Sequence, residues 1–287
     1  MKKINPQIIS KSFRESVHSE ILANQYKINI VGFMCNDDPA AKKYADYTKA
    51  ACEEVGINFD LRIVPRVQIE DQITLANEDD RIHGIFIYYP IFGVERDAYI
   101  KNLVSPYKDI EGLNQYWASK LYQNQRFEDQ NKKYKSILPC TPLAIIKILE
   151  EIDINVRNKT ISVFNRSEVV GRPLASMLSH DGAKVYSFDL DGVLLFHNGT
   201  IEEIDIDREK ALASSDIVIT GVPSKKFEMI RPSEIQEGIV GLNFSTIQNF
   251  EKATLDKLST FIPRVGPLTV TMCLRNSLRL YKNYFKG

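Results

Sequence analysis

The sequence predicts an α/β protein built as two lobes, and three observations carry that expectation. At 287 residues the chain is long for one compact core and comfortable for two, at roughly 150 residues per domain. Short runs rich in β-branched and aromatic residues alternate with stretches of helical spacing, the pattern of βαβ units on a parallel sheet. A polar stretch interrupts the alternation once, and it resumes more tightly afterwards.

In chain order, KINIVGF (27–33), NFDLRIV (58–64) and HGIFIYY (83–89) predict strands, with helical spacing over 38–55 and 70–76 between them. Residues 122–136, YQNQRFEDQNKKYKS, show almost no apolar periodicity and read as an exposed excursion. Thr141 before Pro142 has the form of a helix N-cap with proline at the first helical position. The helix that follows, to about Glu151, leads from one lobe into the next. Further strands are expected at 160–165, 184–188, 216–220 and 238–243. A closing helix over 268–284 carries Val270, Leu274, Leu278 and Tyr281 at spacings of three and four. No tandem repeat of solenoid period is visible.

Composition narrows the function. Hydrophobic residues make up 44% of the chain, ordinary for a folded soluble protein. Thirty-seven basic residues balance thirty-seven acidic ones, so no global field favours nucleic acid or an anionic membrane as partner. Cys35, Cys52, Cys140 and Cys273 are scattered without a C-x-x-C pair, which suits packing in a reducing compartment better than disulfides or zinc. His18, His83, His180 and His197 lack metal-ligand spacing, so no metal is expected. The first twenty residues lack the apolar core of a secretory signal, and no apolar run reaches bilayer length. A cytoplasmic protein is expected.

The first chemical signal is the strand TISVF running into Asn165-Arg166-Ser167-Glu168-Val169-Val170-Gly171-Arg172-Pro173 and then a helical pattern. A strand, a polar turn and a helix start present backbone N–H groups and the positive end of the helix dipole to a pyrophosphate. Gly171 alone matches the dinucleotide fingerprint, and an ordinary βα turn would also fit. Asp189 ends the next strand, 18 residues past Gly171, where a carboxylate accepts hydrogen bonds from both adenosine ribose hydroxyls. A carboxylate there repels a 2′-phosphate, so NAD is expected over NADP.

Five motifs in order then resemble the methylenetetrahydrofolate dehydrogenase/cyclohydrolase family over nearly the whole chain. They are Tyr44 ahead of Ala51-Cys52-Glu53-Glu54-Val55-Gly56, Lys108-Asp109-Ile110-Glu111-Gly112, Pro139-Cys140-Thr141-Pro142, the Arg166–Pro173 turn, and Val265-Gly266-Pro267-Leu268-Thr269-Val270. The resemblance implies an N-terminal α/β catalytic, folate-binding lobe over residues 1–145, completed by 268–287. It implies a Rossmann-type NAD-binding lobe over 146–267, with the C-terminal helix returning to the first lobe. A homodimer is the usual assembly of such proteins.

The departures from the family are more informative. The bifunctional members carry Tyr-x-x-x-Lys on the first-lobe helix, and here Tyr44 is kept while Thr48 replaces the lysine. Lys49 is about 100° around the helix and is not expected to substitute. Where those members have glutamine before Leu-Pro, this chain has Tyr88-Tyr89-Pro90, and an aromatic packing on the sheet is the competing reading of Tyr88. NADP-using members have histidine and serine where Asp189-Leu190 stands. Residues 262–267 lack two glycines of the usual loop. Together these departures resemble the monofunctional, NAD-dependent branch.

The resemblance implies oxidation of 5,10-methylenetetrahydrofolate to the methenyl compound by hydride transfer, with little or no cyclohydrolase activity. Hydride transfer needs two rings held face to face and no proton abstraction at carbon. Hydrolysis needs a base and a proton donor, and Thr48 and Tyr88 remove the obvious pair. Glu111, where the family has aspartate, is expected on the aminopyrimidinone edge of the pterin; Asp109 is expected to be structural. Tyr44, Tyr88, Tyr89, Gly266 and Pro267 are expected to line the folate. Asn165, Arg166, Ser167, Gly171, Asp189, Thr220, Gly221 and Val222 are expected around the dinucleotide. Arg172 and Arg264 stay ambiguous. The rivals are a bifunctional NADP enzyme, a non-catalytic folate- or dinucleotide-binding regulator, and a Rossmann dehydrogenase for another metabolite.

Overall fold

Strands buried on both faces read as continuous apolar runs, and TISVF and IVIT become central strands for that reason. A computed structural model describes residues 1–35 and 39–286. In chain order the first elements are β1 (Lys2–Lys3), α1 (Pro6–Asn24), β2 (Asn29–Met34), α2 (Pro39–Val55) and β3 (Asn58–Ile63). Next come α3 (Ile69–Glu78), β4 (Gly84–Ile87), α4 (Val94–Leu103), α5 (Gln115–Tyr122), α6 (Cys140–Glu151) and β5 (Thr160–Phe164). These lead to α7 (Gly171–His180), β6 (Lys184–Asp189), β7 (Gly192–His197), β8 (Thr200–Ile204), α8 (Arg208–Ala213) and β9 (Ile217–Thr220). The chain closes with β10 (Val240–Asn243), α9 (Lys252–Leu255), β11 (Thr260–Ile262), α10 (Gly266–Leu280) and a π-helical turn at Tyr281–Phe285. Among the described residues no helix is long and apolar enough to cross a membrane.

The chain divides into two compact units. One comprises Met1–Ile9, Leu121–Asn124 and Thr141–Thr269; the other comprises Ser10–Lys120, Gln125–Cys140 and Val270–Gly287. The C-terminal helix thus contributes most of its length to the unit that holds β2 to β4, as the resemblance implied.

In that unit β3, β2 and β4 form a parallel sheet in the order β3-β2-β4. Its core packs Val31, Phe33, Ile85 and Ile87 from the strands against Ile69, Ile73 and Ala76, which are spaced one helical turn apart on α3. A parallel bridge from Ile85 to Asp109 lays the segment after α4 along the open edge of β4.

In the other unit eight strands run in the order β1-β11-β10-β9-β5-β6-β7-β8, parallel up to β6 and antiparallel beyond it. The order reverses between β5 and β9, which is where open α/β sheets place their ligand crevice, beyond the carboxyl ends of the strands. Phe164 pairs with both Thr220 and Phe188, so the turns after β5, β9 and β6 open on one edge of the sheet. Phe164, Val218, Ile230, Ile239, Phe250 and Phe261 form a core beneath them.

The structure departs from the sequence reading at several points. The helix expected from Asp38 begins in the description at Pro39, and Asp38 lies outside the described residues. Thr141 sits inside the first turn of α6 rather than before it, and the Cys140 N–H, free of any partner within the helix, bonds the Glu111 carbonyl. The polar stretch 122–136 is not a loose excursion. A bridge between Phe127 and Lys135, with Asp129 accepting the Tyr134 N–H at 2.7 Å, folds it into a small hairpin. The antiparallel pair β7–β8 was not expected, although Asn198 and Gly199, at φ of 50° and 79°, carry the two-residue turn signal that forms it.

Candidate functional site

On α2, Tyr44 and Thr48 stand four residues apart and share a face. The Thr48 hydroxyl is buried and donates to the Tyr44 carbonyl at 2.9 Å. Tyr44 meets Tyr88 edge-on, ring centroids 6.0 Å apart, and Phe86 at 6.3 Å. The Tyr88 hydroxyl is buried beside Thr48 with no well-formed hydrogen bond. Burial pushes the ionisation of both phenols well up; Cys273 and Glu111 add to this at Tyr44, and Glu111 at Tyr88. Both phenols are therefore neutral at physiological pH, and the Thr48 alcohol carries no ionisable group. Lys49 turns away to an exposed i,i+4 pairing with Glu53 at 4.0 Å.

Tyr88 and Tyr89 follow β4 and point to opposite sides, as successive residues of an extended chain do. Tyr89, expected on the substrate, lays its half-buried ring against the core cluster, with the Lys101 ammonium 5.4 Å from the ring centroid. Burial and then Glu111 raise the Tyr89 phenol, so the residue stays beside the segment expected to hold the substrate.

The segment Lys108 to Gly112 supplies the next wall, and each residue has a separate physical reason. Lys108 donates to the carbonyls of Ala76, Asn77 and Asp79 at 3.0, 2.8 and 2.9 Å, closing the carboxyl end of α3 with a buried cation. Lys108→Met removes all three bonds and is expected to cost about 3 kcal/mol of unfolding free energy in urea titration. A loss below about 1 kcal/mol would contradict this role.

Asp109 is buried and accepts the N–H groups of Glu111, Gly112 and Asn114 at 3.1, 2.9 and 2.7 Å, the structural role expected of it. Burial raises its carboxyl to about 6 even so. Gly112 has φ +69°, and a Cβ there would stand 2.7 to 2.9 Å from the backbone of Leu138 and Pro139. Glu111 keeps some exposed surface, but protein packs round its carboxyl and burial raises it to about 8. The Ile87 N–H, bonded to Glu111 Oε2 at 3.1 Å, opposes that rise; nearby Asp109 adds to it, and Lys101 also opposes it.

Asn276 of α10 was not anticipated. Its amide donates to the carbonyls of Ile110 and Leu138, both at 3.0 Å, and to the Cys140 sulfur at 3.4 Å, fixing the frame behind Glu111. Cys140 and Cys273 are buried free thiols. Burial raises Cys140, and the neighbouring Cys140 sulfur followed by burial raises Cys273. Gly266 and Pro267 open α10, with open space where a Gly266 Cβ would project; they belong to the other compact unit.

In that other unit the turn after β5 is organised by Asn165. Its Oδ1 accepts from Ser167 N, Ser167 Oγ and Gly171 N at 3.0, 2.7 and 3.1 Å, and its Nδ2 donates to the Gly221 carbonyl at 2.9 Å. A Cβ on Gly171 would overlap the Asn165 carbonyl and lie 2.6 Å from its Oδ1. Asn165 and Gly171 thus build the turn on each other.

The turn after β9 is likewise tied from within. Thr220 Oγ1 donates to Asn243 Oδ1 at 3.1 Å, and Val222 N donates to Asn249 Oδ1 at 3.0 Å. Gly221 lies flat under Phe244, whose ring occupies the place of its missing Cβ. Asn243, Asn249 and Phe244 had no signal in the sequence. Exposed polar groups at this edge come from Ser167 and from Asp189, whose Oδ1 accepts the adjacent Leu190 N–H at 2.8 Å. Arg166 does not face the β5–α7 turn: its guanidinium bonds the carbonyls of Ser187 (2.9 Å) and Gly192 across the β6–β7 strands.

The donor set fits a dinucleotide. An exposed carboxylate ends the strand next to the switch point, and two glycine-bearing turns lie at the carboxyl ends of the strands flanking it. The family model described as tetrahydrofolate dehydrogenase/cyclohydrolase, catalytic domain, matches residues 4–111, and that described as its NAD(P)-binding domain matches 139–285. The chain belongs to the tetrahydrofolate dehydrogenase/cyclohydrolase family.

Among relatives in this family, a methylenetetrahydrofolate dehydrogenase (NAD+) of Dictyostelium discoideum is 41% identical, covering 98% of this chain and 94% of that protein. The enzyme of the same name from Saccharomyces cerevisiae is 40% identical over 99% and 98% of the two chains. The solved structure of the NAD-dependent 5,10-methylenetetrahydrofolate dehydrogenase from Saccharomyces cerevisiae aligns with a TM-score of 0.91 at 38% identity, covering 98% and 97%. In this chain the residue one helical turn after Tyr44 is a hydroxyl already engaged with its own helix.

Proposed function

We propose that this chain oxidises 5,10-methylenetetrahydrofolate to 5,10-methenyltetrahydrofolate with NAD as hydride acceptor, and that it hydrolyses the product little or not at all. Near-complete alignment with two NAD-dependent dehydrogenases at about 40% identity supports the redox half. The single observation that carries the second half is Thr48, buried with its proton on the Tyr44 carbonyl where a general base would have to stand.

The bound dinucleotide supplies the electrophilic carbon that takes the hydride. The chain's own residues orient and exclude. Glu111, when ionised, accepts the paired N–H donors of the aminopyrimidinone edge and fixes the ring. Tyr44 and Tyr88 form an aromatic wall whose neutral hydroxyls offer no base to water. Asp189 accepts from the adenosine ribose, and Ser167 faces the phosphates. Initial rates of NADH formation from methylenetetrahydrofolate test the reading directly; binding of both ligands without turnover would favour a regulator instead.

The rival NADP-dependent reading is opposed by Asp189. Asp189→Ser is expected to raise the NADP-to-NAD ratio of kcat/KM by about 10-fold, by removing a like charge beside the 2′-phosphate. An unchanged ratio removes Asp189 from the ribose site. A cytoplasmic homodimer completes the proposal, in keeping with four free thiols; light scattering should give about twice the 32.8 kDa of the chain.

A further inference from the structure

The turn between β6 and β7 reads Asp189-Leu190-Asp191-Gly192. Only Asp189 has a role so far, yet the next acid is the one that meets a cation. Asp191 Oδ1 lies 3.6 Å from Nη1 of Arg166. The Arg166 side chain is 11% exposed while that of Asp191 is 83% exposed. The guanidinium is anchored from below by the carbonyls of Ser187 and Gly192, and its Nε is buried without a partner. A fixed positive charge therefore sits under the ribose end of the sheet, with Asp191 as its ionic partner on the solvent side.

The geometry points to Asp191 as a second determinant of cofactor choice, acting by neutralising Arg166. The inference rests on the placement of Asp189 at the adenosine ribose. A guanidinium bonded to the carbonyls on either side of the Asp189-Leu190-Asp191 turn would by itself attract a 2′-phosphate, which carries about −1.5 to −2 charges at neutral pH. Asp191 offsets that attraction, and the Asp189 carboxylate then leaves the turn as a whole negative. A 2′-hydroxyl is indifferent to this balance. Because Arg166 is held by two backbone carbonyls, it cannot swing away when Asp191 is removed, and its field remains aimed at the same place.

The test is equilibrium binding of ADP-ribose and 2′-phospho-ADP-ribose, measured by titration calorimetry on the full chain. These probes differ by the 2′-phosphate alone and need no turnover. Asp191→Asn is expected to shift the Kd ratio toward the phosphorylated probe by about 2- to 5-fold, the range for an ion pair with an exposed partner. The shift should shrink in about 1 M salt, where the screening length is about 3 Å. Asp191→Glu, which keeps the charge, should leave the ratio as in the parent. If Asp189→Ser moves the ratio and Asp191→Asn does not, the role of Asp191 is overturned and the ribose placement stands. If neither moves it, both fall. Equal weakening of the two probes by Asp191→Asn would mark it as a turn-holding residue, and that also overturns the inference.

Discussion

Gly171→Ala should weaken NAD binding by at least about 100-fold and cost about 3 kcal/mol of stability, the upper range for forcing a methyl group into a filled space. The added Cβ would overlap the Asn165 carbonyl, a backbone group with no rotamer to escape into. Relief requires the start of α7 to move away from the end of β5. That movement breaks the bond from Gly171 N to Asn165 Oδ1, and the same oxygen holds Ser167. Turn and helix start then lose their common anchor together. A fluorescence titration with NADH, paired with a thermal melt, reads both effects. Parent-like affinity in the variant would show that the close approach is not needed.

Glu111 carries the second large effect. Glu111→Ala should lower kcat/KM for methylenetetrahydrofolate about 100-fold, as a pair of charge-assisted hydrogen bonds is lost. The pH dependence gives a finer signature. The folded carboxyl is raised to about 8, above its ordinary range, by burial and then by Asp109, against the pull of the Ile87 N–H and Lys101. The free enzyme thus holds a proton on Glu111 at pH 7, and the ring's N–H donors need the ionised form. On this account kcat/KM rises with pH and levels off above about 8, and Glu111→Gln flattens the rise.

Stability runs the other way. A raised carboxyl binds more protons folded than unfolded, so folding free energy is favoured below the unfolded value near 4.5 and declines as pH climbs to about 8. Asp109, raised to about 6, contributes a similar decline at lower pH. Urea titrations at pH 5 and pH 8.5 should show the parent weaker at the higher pH, with Glu111→Gln narrowing the gap. A parent more stable at pH 8.5 would contradict the burial of this acid.

The parallel strands β2, β4, β5 and β9 were legible because burial on both faces leaves an unbroken apolar signature, whereas the short parallel strands β1 and β11 were missed. Asp189 was legible because it ends a strand predicted from the sequence. Thr48 was singled out by the family resemblance, and helical spacing separated it from Lys49, since about one hundred degrees of rotation divides a buried hydroxyl from an exposed ammonium. Lys108 gave no hint of its role: its partners are carbonyls about thirty residues earlier in the chain, and a backbone oxygen has no letter in the sequence. Asn276, Asn243 and Asn249 escaped for the same reason. Arg166 was placed by motif beside the β5–α7 turn, and only the pairing of β6 with β7 shows why its side chain reaches the other way. The β7–β8 hairpin could have been read from Asn198-Gly199, but its strands are half-exposed and lack the apolar run that marked the others.

Neutral hydroxyls at Tyr44, Thr48 and Tyr88, with no basic group among them, are the arrangement on which the proposed chemistry turns. The decisive measurement follows product fate: methylenetetrahydrofolate and NAD are mixed with enzyme, and methenyl and 10-formyl forms are separated by chromatography as NADH accumulates. The expected result is one methenyltetrahydrofolate per NADH, with 10-formyltetrahydrofolate no faster than in an enzyme-free control. Formation of the 10-formyl compound in step with NADH would contradict it.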